Sequence, residues 1–432
     1  MSNIKNNSYH LKKKFDSSLK LKFDESMNNI GEKRNKNPIP SLRSCCDVGV
    51  TLTVERFGYY QENKDSKIAK PVKKFIWANK SGMVVEAINY GATIVAIIVP
   101  DKKGEFEDVV LGCDCVEDYM SPTNPYMGAT IGRACNRIAR ANMVIDGENF
   151  DLSRNAPPHM LHGGFKGFDK ILWKACRDDK KITMSYSSKD GEEGFPGHLN
   201  VNIVFYLTDG NEFVMEYRAF TTKPTYVNIT NHTYFNLAGH QSGAEELYNH
   251  KICINGESIT HTDKQNIPTG RIIPVGGTTF DLRIPTVLKE RMGRIPETIN
   301  GFDHNFCVTM SDYQKNSFVA KVFHPGSGRM LEIYSNQPGV QLYTANFFPE
   351  KTGDEILNRD CGIIGKDDCR YFKHGAFALE TQNYPDAINH PDFPPSVLYP
   401  GDIYVHTLRY IFSVSEDVST IPVKSTPLIY GL

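Results

Sequence analysis

Long apolar runs are missing from this chain of 432 residues. No uninterrupted hydrophobic stretch is long enough to cross a bilayer, so no membrane partner is expected. The N-terminus lacks an apolar h-region, which argues against a standard secretory leader. Excess charge is missing too. A formal net charge of -1 does not suit a body built to neutralise phosphate backbones, and nucleic acid is not an expected partner. The ten cysteines show no secreted-framework spacing and no C-x-x-C; Cys45 and Cys46 are adjacent, and Cys113 and Cys115 are separated by one residue. Free thiols in a reducing, cytoplasmic setting are expected rather than disulfides or a metal site. Asn79-Lys80-Ser81 and Asn231-His232-Thr233 match the glycosylation pattern, which carries no weight in that compartment.

Chemical signatures are also sparse. There is no Walker loop, no strand–G-x-G-x-x-G–helix unit, no H-E-x-x-H and no G-x-S-x-G elbow. Gly163, Gly164 and Gly167 cluster, but the residues after them do not read as a phosphate-capping helix. The thirteen histidines are mostly isolated and form no close pair at metal-ligand spacing. Neither a metal nor an organic cofactor is expected.

What the chain does contain is alternation. Leu199, Val201, Ile203, Phe205 and Leu207 alternate with more polar neighbours. Thr208-Asp209-Gly210-Asn211 turns the chain, and Phe213, Met215, Tyr217 and Ala219 resume the pattern, which predicts a hairpin. Residues 318–323 and 330–334 repeat the design around Pro325-Gly326-Ser327-Gly328, and Tyr404 to Val414 alternate again. Between Ile88 and Val99 the chain is almost wholly apolar, as in a strand covered on both faces. Amphipathic helices are scarce and no fixed-period repeat is visible, so one large all-β antiparallel sandwich with few short helices is predicted. Residues 1–47 differ: Lys12-Lys13-Lys14 and Lys33-Arg34-Asn35-Lys36 sit among Asn and Ser. That composition predicts a disordered, basic N-terminal extension ahead of a single domain over 48–432. A basic arm with an acylatable Cys45-Cys46 pair would also suit targeting to a membrane surface; a solvated tail is the reading adopted.

Polar islands interrupt the strand pattern. They are Gly132-Arg133-Ala134-Cys135-Asn136-Arg137-Ile138-Ala139, Leu161-His162-Gly163-Gly164, Gly191-Glu192-Glu193-Gly194-Phe195-Pro196-Gly197 and Thr230-Asn231-His232-Thr233-Tyr234-Phe235-Asn236-Leu237. Further on come Gly301-Phe302-Asp303-His304-Asn305-Phe306, Gln337-Pro338-Gly339-Val340-Gln341-Leu342-Tyr343 and Leu379-Glu380-Thr381-Gln382-Asn383-Tyr384-Pro385-Asp386. Together and in this order, they resemble the aldose 1-epimerase (galactose mutarotase) family from about Val54 to Val414. The resemblance implies a large antiparallel β-supersandwich, in line with the alternation.

It also implies roles. Glu380 corresponds to the family's general base and His232 to its general acid. Asn136, Arg137, His162, Asp303 and Gln341 correspond to its sugar-binding residues. The implied reaction interconverts the anomers of a free aldose, glucose or galactose, with a monomer as the expected state. Such chemistry suits the residue types: one group takes the C1 hydroxyl proton while another protonates the ring oxygen. A hexose 6-phosphate epimerase would want further basic side chains, and none cluster near the islands. A non-catalytic sugar-binding protein on this scaffold would be expected to lose the acid or the base, and both positions are filled. Residues 349–368 look longer than the usual family loop; surface decoration is expected there rather than a lid over the groove.

Overall fold

A computed structural model describes residues 49–62, 68–295, 301–311, 316–354 and 359–416. The extension expected over residues 1–47 lies outside the described residues.

Three antiparallel sheets share one core. The first is a meander of five strands, Thr51–Tyr60, Lys70–Ala78, Val84–Ile88, Thr93–Pro100 and Phe106–Asp108. The second has nine strands and carries the predicted hairpins: Leu199–Leu207 pairs with Glu212–Thr221, which pairs with Tyr404–Val414, then Arg329–Ser335 and Ser317–Phe323. Along Leu199–Leu207 every second residue is buried, the period-two signature of a strand with one face on a core. The third sheet has six strands, ordered Tyr234–Phe235, Phe377–Gln382, Gly339–Tyr343, Asp303–Val308, Gly256–Thr262 and Pro268–Pro274. Phe75 and Ile97 of the first sheet, Ile203 and Tyr410 of the second, and Phe377 and Leu379 of the third pack in one apolar cluster. Each such side chain contributes roughly 1.5–3 kcal/mol by leaving water. Among the described residues the α-helices are short, such as Gly243–Asn249 and Leu288–Met292.

The apolar stretch from Ile88 to Val99 is not one strand. Val84–Ile88 ends, the chain turns at Tyr90-Gly91, and Thr93–Pro100 begins. Gly91 (φ +65°) makes the turn possible, because a Cβ there would meet the Asp169 carbonyl oxygen at 2.5 Å. From Ile88 to Val99 strand and turn residues are alike nearly all apolar, so hydrophobicity alone hides the break.

The long loop also departs from expectation at its C-terminal end. Lys366 is buried, pairs with Asp108, and donates to the carbonyls of Val95 (2.9 Å) and Val110 (2.7 Å). That end is an anchor in the core rather than surface decoration. Cys113, Cys115, Cys135, Cys176, Cys253, Cys307, Cys361 and Cys369 are free thiols. Asn79 and Asn231 are buried, with their amides donating to Thr208 O and Gly128 O, so neither presents an accessible glycosylation acceptor.

Candidate active site

The six-stranded sheet supplies the carboxylates. Along Phe377–Gln382, Phe377 and Leu379 face the apolar core, which turns Glu380 and Gln382 to the opposite face. Gln341 sits across from Glu380 on the next strand, and Asn305 across from Gln341 on the one after. A polar row therefore crosses three strands. Asp303 lies two residues from Asn305 on the same face; it accepts from Gln341 Nε2 at 2.7 Å and from Asn266 Nδ2 at 3.1 Å. Gln382 Nε2 donates to Asn305 Oδ1 at 3.1 Å and closes the network.

Register also places the histidine. Tyr234 pairs with Ala378 and Phe235 with Phe377, so continuing that antiparallel ladder brings His232 opposite Glu380. His232 Nε2 lies 3.5 Å from Glu380 Oε1, with both side chains buried. The remaining polar atoms of the pair, His232 Nδ1 and Glu380 Oε2, are buried without a protein hydrogen bond. A buried polar atom left unpaired costs free energy, and a bound hydroxylic ligand or a water supplies such a missing partner.

The second half of the site comes from short bridges and tight turns. Arg137–Ile138 pairs with Met160–Leu161. Asn136 (φ 60°) and His162 (φ 51°) both adopt left-handed backbone next to this bridge. They hold each other: His162 N–H donates to Asn136 O at 3.0 Å, and Asn136 N–H donates to His162 Nδ1 at 3.2 Å. The second bond fixes the tautomer, because an Nδ1 that accepts leaves the ring proton on Nε2. His162 is thus a donor through Nε2. Gly163 and Gly164 come next with φ of +84° and +105°, and a Cβ on Gly163 would meet Gly132 O at 2.0 Å. The glycine cluster serves this close approach rather than a phosphate.

Burial sets the electrostatics. Desolvation pushes Glu380 well above the ordinary glutamate value; the neighbouring Asp303 charge adds to the rise, and Arg137 opposes it. Asp303 is also raised by burial, with Arg137 and the Gln341 hydrogen bond pulling it back. Desolvation lowers His232 to about 4, against a raising contribution from its own main-chain carbonyl. His162 is held well below the ordinary value by burial, then by His232, Arg137 and Lys170. Carboxyl and imidazole are thus both pushed toward their neutral forms.

All seven residues singled out from the sequence are accounted for. His162, His232 and Glu380 converge, each offering a donor atom within 4.8 Å of the others. Arg137 acts electrostatically on both Glu380 and Asp303, Gln341 bridges Asp303 and the Glu380 row, and Asn136 braces His162. Two histidines and a glutamate are a donor set that zinc enzymes use. Here neither nitrogen of His162 offers a lone pair, since Nδ1 accepts from Asn136 and Nε2 carries the proton, so the trio as arranged does not fit a metal.

Some parts were not singled out. Asn305 and Gln382 lay inside recognised islands, but their role depends on cross-strand register. Asn266 (φ 60°) and Tyr126 (φ 65°) lie outside every island, on turns whose geometry no periodicity reveals. Arg133, inside an island, is structural: its guanidinium donates to the carbonyls of Pro196 and Gly197, at 2.9 and 3.0 Å, which explains why the Gly191–Gly197 island accompanies it.

The chain is similar to known proteins over most of its length. The profile of the aldose 1-epimerase family matches residues 73–411. Human galactose mutarotase is 44% identical over 331 residues, covering 77% of this chain and 91% of the relative. Aldose 1-epimerase from Escherichia coli K12 is 33% identical over 348 residues, 79% of this chain and 96% of the relative. Among solved structures, an aldose epimerase homologue from C. elegans superposes with a TM-score of 0.70 at 28% identity, covering 78% of this chain and 97% of that one.

Proposed function

The chain belongs to the aldose 1-epimerase family, and from that premise we propose how its buried pair performs the chemistry. Its activity is that of an isomerase, the interconversion of the anomers of an aldose. The substrates we assign are free aldohexoses, glucose and galactose.

Glu380 and His232 are the catalytic pair in this reading. What supports it is the 3.5 Å approach of His232 Nε2 to Glu380 Oε1 in a buried setting where each retains one unpaired polar atom. The pair carries one proton. Burial favours protonated carboxyl beside neutral imidazole; sugar hydroxyls donating to Glu380 Oε2 favour the charge-separated form, with carboxylate as base and imidazolium as acid. Glu380 then takes the C1 hydroxyl proton as His232 gives its proton to the ring oxygen. The C1–O5 bond breaks, and a carbonyl forms at C1. After rotation about C1–C2 the roles reverse: His232 takes back the O5 proton, Glu380 returns its own, and the ring closes on the other face. Each transfer is worth roughly 10²–10⁴-fold.

His162 donates from Nε2 to a sugar oxygen and keeps its proton throughout. Arg137 supports negative charge as it develops, while Asp303 accepts from hydroxyls with Gln341 and Asn266 fixing its orientation. A neutral sugar fits better than a phosphorylated one. Lys170, whose ammonium acts on His162, is already compensated by Asp169 at 2.7 Å. We further assign the activity to a monomeric unit spanning residues 48–432 and acting in the cytoplasm.

The test is polarimetry of freshly dissolved α-D-glucose. The purified protein should accelerate the drift far beyond buffer, and glucose 6-phosphate should react more slowly. No acceleration would end the enzyme reading, and a large preference for the phosphate would overturn the substrate.

A further inference from the structure

We propose that Tyr126 is a positioning residue for this reaction: its ring face holds the imidazoles of His232 and His162 and favours the charged form of His232. The inference rests on the reading of His232 as proton donor.

Two tyrosines lie near the ring of His232. Tyr126 is near-parallel to it, with centroids 6.1 Å apart and planes at 26°; Tyr234 lies at 4.8 Å and 35°. Tyr126 also reaches His162, at 4.7 Å and 58°, while the two imidazoles meet edge to face at 5.3 Å. One tyrosine therefore touches both.

The segment that carries Tyr126 is tied to the same histidine through the main chain. His232 N–H donates to Ala129 O at 2.8 Å, and Gly128 N–H donates to His232 O at 3.0 Å. Tyr234 Oη donates to Pro125 O at 3.2 Å, which links the two ring walls. The left-handed turn at Tyr126 is closed by Ala129 N–H on Tyr126 O at 3.1 Å and by Met127 N–H on Asn124 Oδ1 at 3.0 Å. Lys170 Nζ also lies 5.2 Å from the centroid of the Tyr126 ring.

His232 has little else to fix it. Nε2 lies 3.5 Å from Glu380, and beyond its own main-chain carbonyl no hydrogen bond ties the ring to a third residue among the described residues, so hydrogen bonds alone hold it weakly. Aromatic faces add to that hold. They also act on charge: a cation is attracted to the face of an aromatic ring, whereas a neutral imidazole gains only packing. The groups that face His232 are Glu380, His162, Tyr126 and Tyr234, with the charges of Arg137 and Asp303 acting on Glu380. Of these, Tyr126 alone has its ring within 6.1 Å of both imidazole centroids without itself being a candidate proton carrier.

The experiment replaces Tyr126 with phenylalanine and then with phenylalanines of increasing fluorine content, which weakens the ring face at nearly constant size. Polarimetry on α-D-glucose gives kcat, KM and their pH dependence, with His232→Ala as control. Phenylalanine should keep kcat within about threefold of the parent. Fluorination should then lower kcat progressively, by about fivefold at the extreme, and move the acid limb of kcat/KM to lower pH by about half a unit. A kcat and acid limb that ignore fluorination, while His232→Ala is inactive, would overturn the inference alone. A rise confined to KM would also overturn it, by making Tyr126 a sugar contact. An active His232→Ala would overturn the proton-donor reading, and this inference with it.

Discussion

The two halves of the site are built in different ways. Asp303, Gln341 and Glu380 stand on neighbouring strands of one sheet, and their spacing comes from register and the two-residue period. Asn136, Arg137, His162 and Tyr126 stand on short bridges and left-handed turns, held by particular hydrogen bonds; His232 joins the two halves, set by register against Glu380 and by turns against Ala129. The carboxylate half is rigid because a whole sheet enforces it. The imidazole half is rigid only through its local bonds and ring contacts. A single change should therefore damage geometry more readily on the imidazole side and electrostatics more readily on the carboxylate side.

The largest effects should come where the halves meet. Glu380→Gln and His232→Ala should each lower kcat by about a hundredfold or more, with sugar affinity falling much less; a fall confined to KM would assign the residue to binding. Next comes Gly163→Ala on the imidazole side. A Cβ at φ +84° that meets a carbonyl oxygen should destabilise the protein by more than about 2 kcal/mol and reduce activity with it, read by thermal denaturation and rate together. Wild-type stability would show that this turn adjusts freely.

Asp303→Asn tests the carboxylate side by removing its charge, while turning an amide N–H toward Gln341 Nε2 or Asn266 Nδ2. Removing a negative neighbour should let both limbs of the pH profile move to lower pH and should raise KM, with some loss of melting temperature from the donor left unpaired beside the new amide N–H. A smaller effect concerns stability. Glu380 is raised in the folded state, so its contribution is full below the unfolded value near 4.5 and declines as pH rises toward the folded one. His232 is lowered to about 4, so its contribution is present above about 6.5 and is lost as pH falls toward 4. Glu380→Gln should accordingly melt higher than the parent at neutral pH, even as it loses activity. Deleting residues 1–47 should change kcat least of all.

The same contrast explains what could be read from the chain alone. Hairpins such as Leu199–Leu207 with Glu212–Thr221 were legible because one face is buried and the other is not. The turn at Gly91 was not, since the apolar strands on either side of it erase that signal. Glu380 and His232 drew attention only through the ordered islands around them; nothing in their own neighbourhoods shows that one ladder sets them opposite each other. Tyr126 and Asn266 were passed over because a left-handed turn leaves no periodic trace. The anchor at Lys366 was missed for a related reason, since a lysine in a charged loop ordinarily reads as solvated.

The most direct test of the shared-proton pair is the pH dependence of kcat/KM for α-D-glucose in the unmodified protein. One proton on two buried groups predicts a bell: activity lost at low pH as the pair gains a second proton, and lost at high pH as it gives up its only one. A rate that stays level or keeps rising across the high-pH range in which the protein remains folded would contradict that account.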